Sequence, residues 1–467
     1  MLLAAAFALL AVFFLARVLT NSRVALATLI ATAIYPVWFA QSSLVHADLL
    51  AAAFVLWGVF FYFRSLLGIG FAEDGLGPVL VSKEEAIAER RQARRDLWRS
   101  AAMFALAGLS KETSVVIPLT LAVYDSVGKL SRPRKKARWL GPLLLVASTV
   151  PLAIWFAYHR YRTGFFFGNP EFFAYNVSAT LAALRIVLAF GLRLWQMLGY
   201  MNMWLLTLAT IWVMRYPALL EEEGGERPRI ALAVQYRILA ILLANALMFS
   251  VLGGAALARY LLPVYPLVIL IGISTLRRRL LEWPWAVAVI VAGFVLALFS
   301  NPFGYSAPED NFAYRNYVIL HKDAADYLQQ HDLHERVLSA WPASDELTKP
   351  FLGYVRLPIS VVRINDFSYE QLQLARLASG QFDVALLFST KQQPSASLLD
   401  RWPWWERVSS KYFGFHRDLT PDVTAEMLGG RVTWERKRGQ QWIAIVSFDR
   451  VENASAACRE SQRRNAD

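Results

Sequence analysis

One cysteine in 467 residues, Cys458 near the C-terminus, excludes an intrachain disulfide and a cysteine-built metal site. Charge is the second shortage. Asp, Glu, Lys and Arg make up 18% of the chain, where a soluble protein carries about 25%. There is no phosphate-binding glycine loop, no zinc-type His pair and no G-x-S-x-G nucleophile elbow, so ATP-driven machinery is not evident. Basic residues are also missing ahead of the first apolar run. Met1 opens directly into it, and the nearest cations, Arg17 and Arg23, lie on its far side, the wrong flank for a signal peptide.

What the chain has instead is apolar residues in blocks. They make up 56% of it, with a mean hydropathy of +0.36, 16 Trp and 29 Phe. The blocks are 2–16, 24–40, 49–63, 101–109 with 115–127, 140–158, 194–214, 238–252, 260–276 and 285–300. Several are shorter than the roughly 20 residues that cross a bilayer, so their helices are expected to extend into the flanks. This predicts a polytopic α-helical membrane protein of about ten hydrophobic helices. The net charge of +12 sits mostly in short loops between blocks. There it sets orientation, and no nucleic-acid partner is expected.

The basic loops alternate with loops poor in Lys and Arg. Arg17 and Arg23, Arg64 to Arg99, Lys129 to Arg138, Arg215 to Arg229 and Arg277 to Arg279 fall on one side, read as cytoplasmic. Segments 35–48, 110–112, 159–193 and 253–259, and everything after 300, then lie on the other. A first span running from outside to inside suggests that an N-terminal helix and its loop once preceded it. The segment 84–99 reads as a surface helix in a charged loop, and 179–193 as a helix lying in the interface.

Past residue 300 the texture changes. Segments 336–341, 359–364, 382–388 and 442–448 read as short strands, with helices at 312–330 and 369–378. The expected organisation is a transmembrane domain over 1–300, a small soluble α/β extracytoplasmic domain over 301–450, and a polar tail over 451–467 whose composition predicts disorder.

Ionisable residues beside apolar spans are functional candidates, because burying them in a membrane is costly. The turn from Tyr35 to Asp48 brings Gln41, His46 and Asp48 together. Asp48 could act as a base, hold a divalent cation, or cap the following helix. Lys111 and Glu112 sit between two apolar runs, and Lys111 could bind a phosphate or snorkel. Arg259 and Tyr260 follow a Gly-Gly and small-residue stretch, where the Arg could clamp an anionic headgroup or anchor a helix end. Arg160, Arg162, Asn169, Glu171, Tyr175 and Asn176 lie in an aromatic loop that could read a sugar or simply be solvated.

At these residues the chain resembles the GT-C superfamily of membrane glycosyltransferases. It is nearest the family 39 branch of protein mannosyltransferases and aminoarabinose transferases. The carriers are Tyr35-Pro-Val-Trp-Phe-Ala-Gln-Ser with Asp48, Leu106-Ala-Gly-Leu-Ser-Lys111-Glu112, Gly168-Asn-Pro-Glu-Phe-Phe-Ala-Tyr-Asn176 and Ala258-Arg259-Tyr-Leu-Leu-Pro263. The resemblance implies inverting transfer of a sugar from a polyprenyl-phosphate donor to a lipid, glycan or protein acceptor. The setting it implies is the outer face of a bacterial inner membrane. Lys111 and Arg259 would neutralise the lipid phosphate, Asp48, at the acidic position of the second outer loop, would support acceptor or metal binding, and the 169–176 loop would touch sugar or acceptor. The family's principal catalytic Asp belongs to a first outer loop that this sequence begins too late to contain. A non-catalytic scaffold of the same fold for envelope assembly is the main rival. A lipid or small-molecule transporter is a second, though the loops show no clear repeat.

Overall fold

The computed structural model describes residues 1–70, 83–131, 139–166, 180–221, 225–252, 256–300, 307–389, 402–413 and 418–448. The chain divides into two compact units. The first is Met1–Pro302 with Glu309–Asn311 and Trp402–Phe415; the second is Phe303–Pro308, Phe312–Arg401 and His416–Asp467. The polar tail 451–467 lies outside the described residues.

The first unit is helical: α1 (Leu2–Leu19), α2 (Ser22–Ile34), α3 (Pro36–Ser43), α4 (Ala47–Gly70), α5 (Lys83–Ser110), α6 (Val116–Ser131), α7 (Leu140–Ala147), α8 (Val150–Thr163), α9 (Ala183–Leu198), α10 (Met203–Val213), α11 (Leu232–Val251), α12 (Tyr265–Arg279) and α13 (Trp283–Phe299). Among the described residues, four spans are apolar and long enough to cross a bilayer: α1, most of α4, α7 with α8, and α11. The pair α2 and α3, bent by 65°, makes a fifth if it acts as one span. The protein is an integral membrane protein, and the expected count of about ten spans is not reached by this measure.

The bend between α2 and α3 has a local cause. Pro36 has no N–H to continue the ladder and occupies the first turn of the new helix. The expectation of a surface helix over 84–99 followed by a separate apolar run gives way to one helix, α5. No Gly or Pro interrupts it before Gly108, and its charged half is tied down by the buried Asp96, which takes Arg64 Nε at 2.7 Å and Arg99 at 3.2 Å. Close approach also needs a glycine: a Cβ on Gly58 of α4 would sit 2.7 Å from the Phe104 ring of α5. Helix α9 exposes Leu184 and Val187, turns Arg185 and Arg193 inward and packs against α11.

The second unit is a five-stranded sheet in the order β2-β1-β3-β5-β4, with β1 (Val337–Ala340), β2 (Val361–Ile364), β3 (Val384–Phe388), β4 (Arg431–Arg438) and β5 (Gln441–Ser447). Strand β1 is parallel to β2 and β3, while β3–β5 and β5–β4 are antiparallel. Alternation along β3 splits the core in two. Val384, Leu386 and Phe388 pack with Leu320, Ala324 and Leu328 of α14 (Ala313–His331). Ala385 and Leu387 pack with Leu372 of α16 (Tyr369–Leu377) and Leu428 of α18 (Pro421–Leu428). Between these helices in sequence come α15 (Ala343–Thr348) and, in the first unit, α17 (Pro403–Phe413). Strand β4 was not expected. Its sequence, Arg-Val-Thr-Trp-Glu-Arg-Lys-Arg, is that of an exposed charged edge, which guards the sheet against pairing with another chain.

Candidate functional site

Asp48, Lys111 and Arg259 are brought together by three helix ends. Asp48 lies in the first turn of α4, inside the helix rather than at its N-cap. Lys111 is the extended residue after α5, where Lys111 N still bonds back to Ala107 O at 2.9 Å. Arg259 belongs to a short 3-10 turn, Ala258–Leu261, ahead of α12. Lys111 Nζ donates to Asp48 Oδ1, Arg259 Nε lies 3.5 Å from Asp48 Oδ2, and Arg259 Nη1 donates to Glu309 Oε1. Two cations and two carboxylates thus form a cluster of zero formal charge.

An aromatic floor completes the cluster. Lys111 Nζ sits 4.1 Å from the centre of the Tyr260 ring, which itself stacks on Phe249 at 5.4 Å. The cavity is lined by Asp48, Lys111, Arg259 and Tyr260 with Asn245 of α11 and Ser114. Its volume is ≈ 10 Å³, about enough for one water. Burial pushes the Lys111 amine down, and its partner Asp48 works against that shift.

Arg259 is held by its backbone neighbours. Arg193 Nη1 donates to Leu257 O at 2.9 Å, Gln196 Nε2 to Ala256 O at 2.7 Å, Tyr265 to Ala258 O at 3.1 Å and Trp38 Nε1 to Leu262 O at 2.9 Å. Four side chains from three helices therefore fix the carbonyls on both sides of the turn, which pre-sets the guanidinium. Sequence reasoning placed Arg193 only at a loop boundary and did not single out Gln196 or Trp38. An ionisable residue and an amide four residues or fewer apart in an apolar helix were the available signal.

The other candidates are placed as follows. His46 Nδ1 pairs with Gln41 Oε1 at 2.8 Å, and Gln41 Nε2 donates to Glu309 O at 3.2 Å, so this pair buttresses the cluster from the side. Burial pushes the His46 imidazole down, and the nearby Arg259 adds to it. Glu112 begins the turn after Lys111 and is exposed, outside the cavity lining. Arg160 and Arg162 are exposed at the end of α8. Asn169, Glu171, Tyr175 and Asn176 lie outside the described residues. Among the described residues no three His, Cys, Asp or Glu side chains converge as metal ligands.

The opposite ends of the same helices carry a separate set of charges. Arg64, sixteen residues or about 24 Å along α4 from Asp48, meets Asp96. Arg277 and Arg278 at the end of α12 meet Glu221 at 3.2 Å and Glu226 at 2.6 Å. The cluster of Asp48, Lys111 and Arg259 thus occupies one end of the bundle and the arginine-rich loops the other, as the alternation of basic loops implied.

No protein-family model matches the chain, and no curated protein matches it. Among solved structures the chain is similar to ArnT from Cupriavidus metallidurans bound to undecaprenyl phosphate. The TM-score is 0.44 at 16% identity, over 95% of this chain and 82% of that one. It is likewise similar to the same protein in the apo state, with a TM-score of 0.45 and the same identity and coverage.

Proposed function

We propose that the chain is a membrane glycosyltransferase of the GT-C type that moves a sugar from a polyprenyl-phosphate donor to a lipid, glycan or protein acceptor. The observation that carries this reading is the convergence of Lys111 and Arg259 on Asp48 in one cavity at a helix end. In the reaction an acceptor hydroxyl attacks the anomeric carbon, the bond from that carbon to the phosphate oxygen breaks, and the hydroxyl proton passes to a carboxylate. The departing polyprenyl phosphate needs cations that are fixed beforehand and shielded from water. Lys111 and Arg259 are of that kind. Asp48, with both oxygens facing cations, orients them. A divalent cation would add to the same charge, and binding measured with and without a chelator tests it.

In this reading the cluster faces the outside of a bacterial inner membrane, as does the soluble unit. A cysteine at Ser42 then labels with an impermeant thiol reagent in intact cells, and one at Ser131 does not; Ser389 is buried in the second unit and cannot report the side. One observation favours the scaffold alternative: the cavity is small and its charges cancel. The deciding experiment is binding of a polyprenyl monophosphate to the full chain in lipid nanodiscs. Saturable binding that is weakened in Lys111→Ala and Arg259→Ala supports the transferase; no saturable binding leaves the scaffold.

A further inference from the structure

Residues Glu309–Asn311 pack with the helical unit although they follow α13 by a stretch of chain. One hydrogen bond from each of the three clamps them there. Glu309 O accepts from Gln41 Nε2 at 3.2 Å, Asp310 Oδ2 accepts from the Tyr200 hydroxyl at 2.8 Å, and Asn311 Nδ2 donates to Ala297 O at 3.3 Å. Asp310 and Asn311 are buried, at 2% and 4% exposure. The place of Glu309 is therefore built by its neighbours, and its carboxylate is presented to Arg259 Nη1.

Resting on the reading of this cavity as a phosphate site, we infer that Glu309 is an internal stand-in for the phosphate, a latch that the ligand's phosphoryl group displaces from Arg259. The two carboxylates of the cluster are not equivalent. Asp48 sits between two cations, and its side chain is 12% exposed; Glu309 meets Arg259 alone and is 21% exposed. With hardly a water's worth of free space, an arriving anion has to take a cation from a carboxylate already there. Glu309 is the one with a single partner to lose. A phosphate monoester or diester offers Arg259 the same oxygen geometry with more charge, so the exchange is favourable once the headgroup is in place. Glu309 is a positioning residue in this account: it acts on the ligand only through Arg259.

The test is a binding cycle on the full chain in phosphatidylcholine nanodiscs, with undecaprenyl monophosphate and, separately, inorganic phosphate as probes. Glu309→Gln removes the competing charge and keeps the shape. It is expected to bind undecaprenyl monophosphate about tenfold more tightly than the unmodified chain. In an Arg259→Ala background the same substitution is expected to change nothing, while in a Lys111→Ala background the gain persists. No gain from Glu309→Gln overturns the latch. An equal gain with and without Arg259 also overturns it, since the effect would then be the loss of a nearby negative charge and not an exchange of partners. If Arg259→Ala and Lys111→Ala both bind as the unmodified chain does, the phosphate-site reading itself falls, a different failure from that of the latch. A gain seen with both probes means that the phosphoryl group suffices; a gain confined to the lipid means that its chain must engage as well. Thermal unfolding checks each variant, and Glu309→Ala replaces the amide variant should that one not fold.

Discussion

Two of the polar clusters in the helical unit are built differently. In one, Asp125 of α6 takes the Tyr62 hydroxyl at 2.8 Å and Arg237 Nη2 at 2.7 Å. Arg237 Nε reaches both Tyr62 and Asp125, and Nη1 reaches Ala233 O at 2.9 Å. Each nitrogen of that guanidinium has a partner. In the other, Lys111 and Arg259 share Asp48, the Arg259 Nε makes no hydrogen bond, and a cavity opens beside them. A saturated cluster holds helices together. A cluster whose arginine is shared between two carboxylates and keeps an unused donor can exchange one of them for another anion. The difference lies in donor and acceptor arithmetic, since both contain one short acid and an arginine at similar burial.

The sharpest way to break this contrast is at Asp125. Asp125→Ala leaves Arg237 charged and unpaired among helices, which is expected to cost about 3–5 kcal/mol of stability and to cut the yield of folded protein. Thermal unfolding in detergent measures it. Phosphate-lipid binding by whatever folds should be unchanged. At the other cluster the readouts reverse. Lys111→Ala and Arg259→Ala each remove a charge-assisted contact worth about 1.5–3 kcal/mol, so binding of a polyprenyl monophosphate should weaken by tenfold or more. The unfolding midpoint should move much less than in Asp125→Ala. Equal destabilisation by all three substitutions would make both clusters structural.

Much of the unfunctional scaffolding was legible before the structure. The apolar blocks fall in helices, though 24–40, 140–158 and 194–214 are each broken into two, and the alternation of basic loops put Asp48, Lys111 and Arg259 at one end of the bundle, where the structure has them. The residues that complete the cluster were not legible. Glu309 and Asp310 lie in a three-residue turn after the last span, too short to carry a periodicity, and position along the chain assigned them to the soluble domain. Asp125 and Arg237 were readable in principle as ionisable residues in apolar helices, but a lone charge in a sequence does not say which helix supplies its partner. Strand β4 was missed because it is mostly charged and exposed, with only Val432 and Trp434 partly covered by the core. The long helix α5 was missed because a charged half and an apolar half of one helix look like two elements.

The buried Asp310 sharpens the comparison by pH. Burial pushes its carboxyl up to about 7, against the pull of the Tyr200 hydrogen bond and Arg259. A carboxyl raised in the fold binds its proton more tightly there than in the unfolded chain, where it ionises near 3.9. Its contribution to stability is complete at acid pH and is lost as the pH rises through about 7, roughly 1 kcal/mol between pH 6.5 and 8. His46, pushed down by burial, runs the other way, but its contribution is nearly complete above about pH 6.5. Asp310→Asn should therefore flatten the fall in unfolding midpoint over that window. An unchanged slope would mean that Asp310 is ionised in the fold.

The smallest expected effect tests whether the aromatic rings follow the same division. Each cluster has a cation over a tyrosine: Lys111 Nζ is 4.1 Å from the centre of Tyr260, and the Arg237 guanidinium is 4.9 Å from that of Tyr124. Such contacts are worth about 0.5–1 kcal/mol where water still reaches them. If the clusters differ as argued, equal losses should appear in different measurements. Tyr260→Leu removes the ring that holds Lys111 in place, so polyprenyl monophosphate binding should weaken by about two- to fivefold with little change in the unfolding midpoint. Tyr260→Phe keeps the ring face and should restore most of the affinity. Tyr124→Leu should lower the unfolding midpoint slightly and leave binding alone, because Arg237 stays tied to Asp125 and Tyr62 without the ring. A binding loss in Tyr124→Leu equal to that in Tyr260→Leu would mean that the two clusters are coupled through α6 and α11 and that the division between them does not hold.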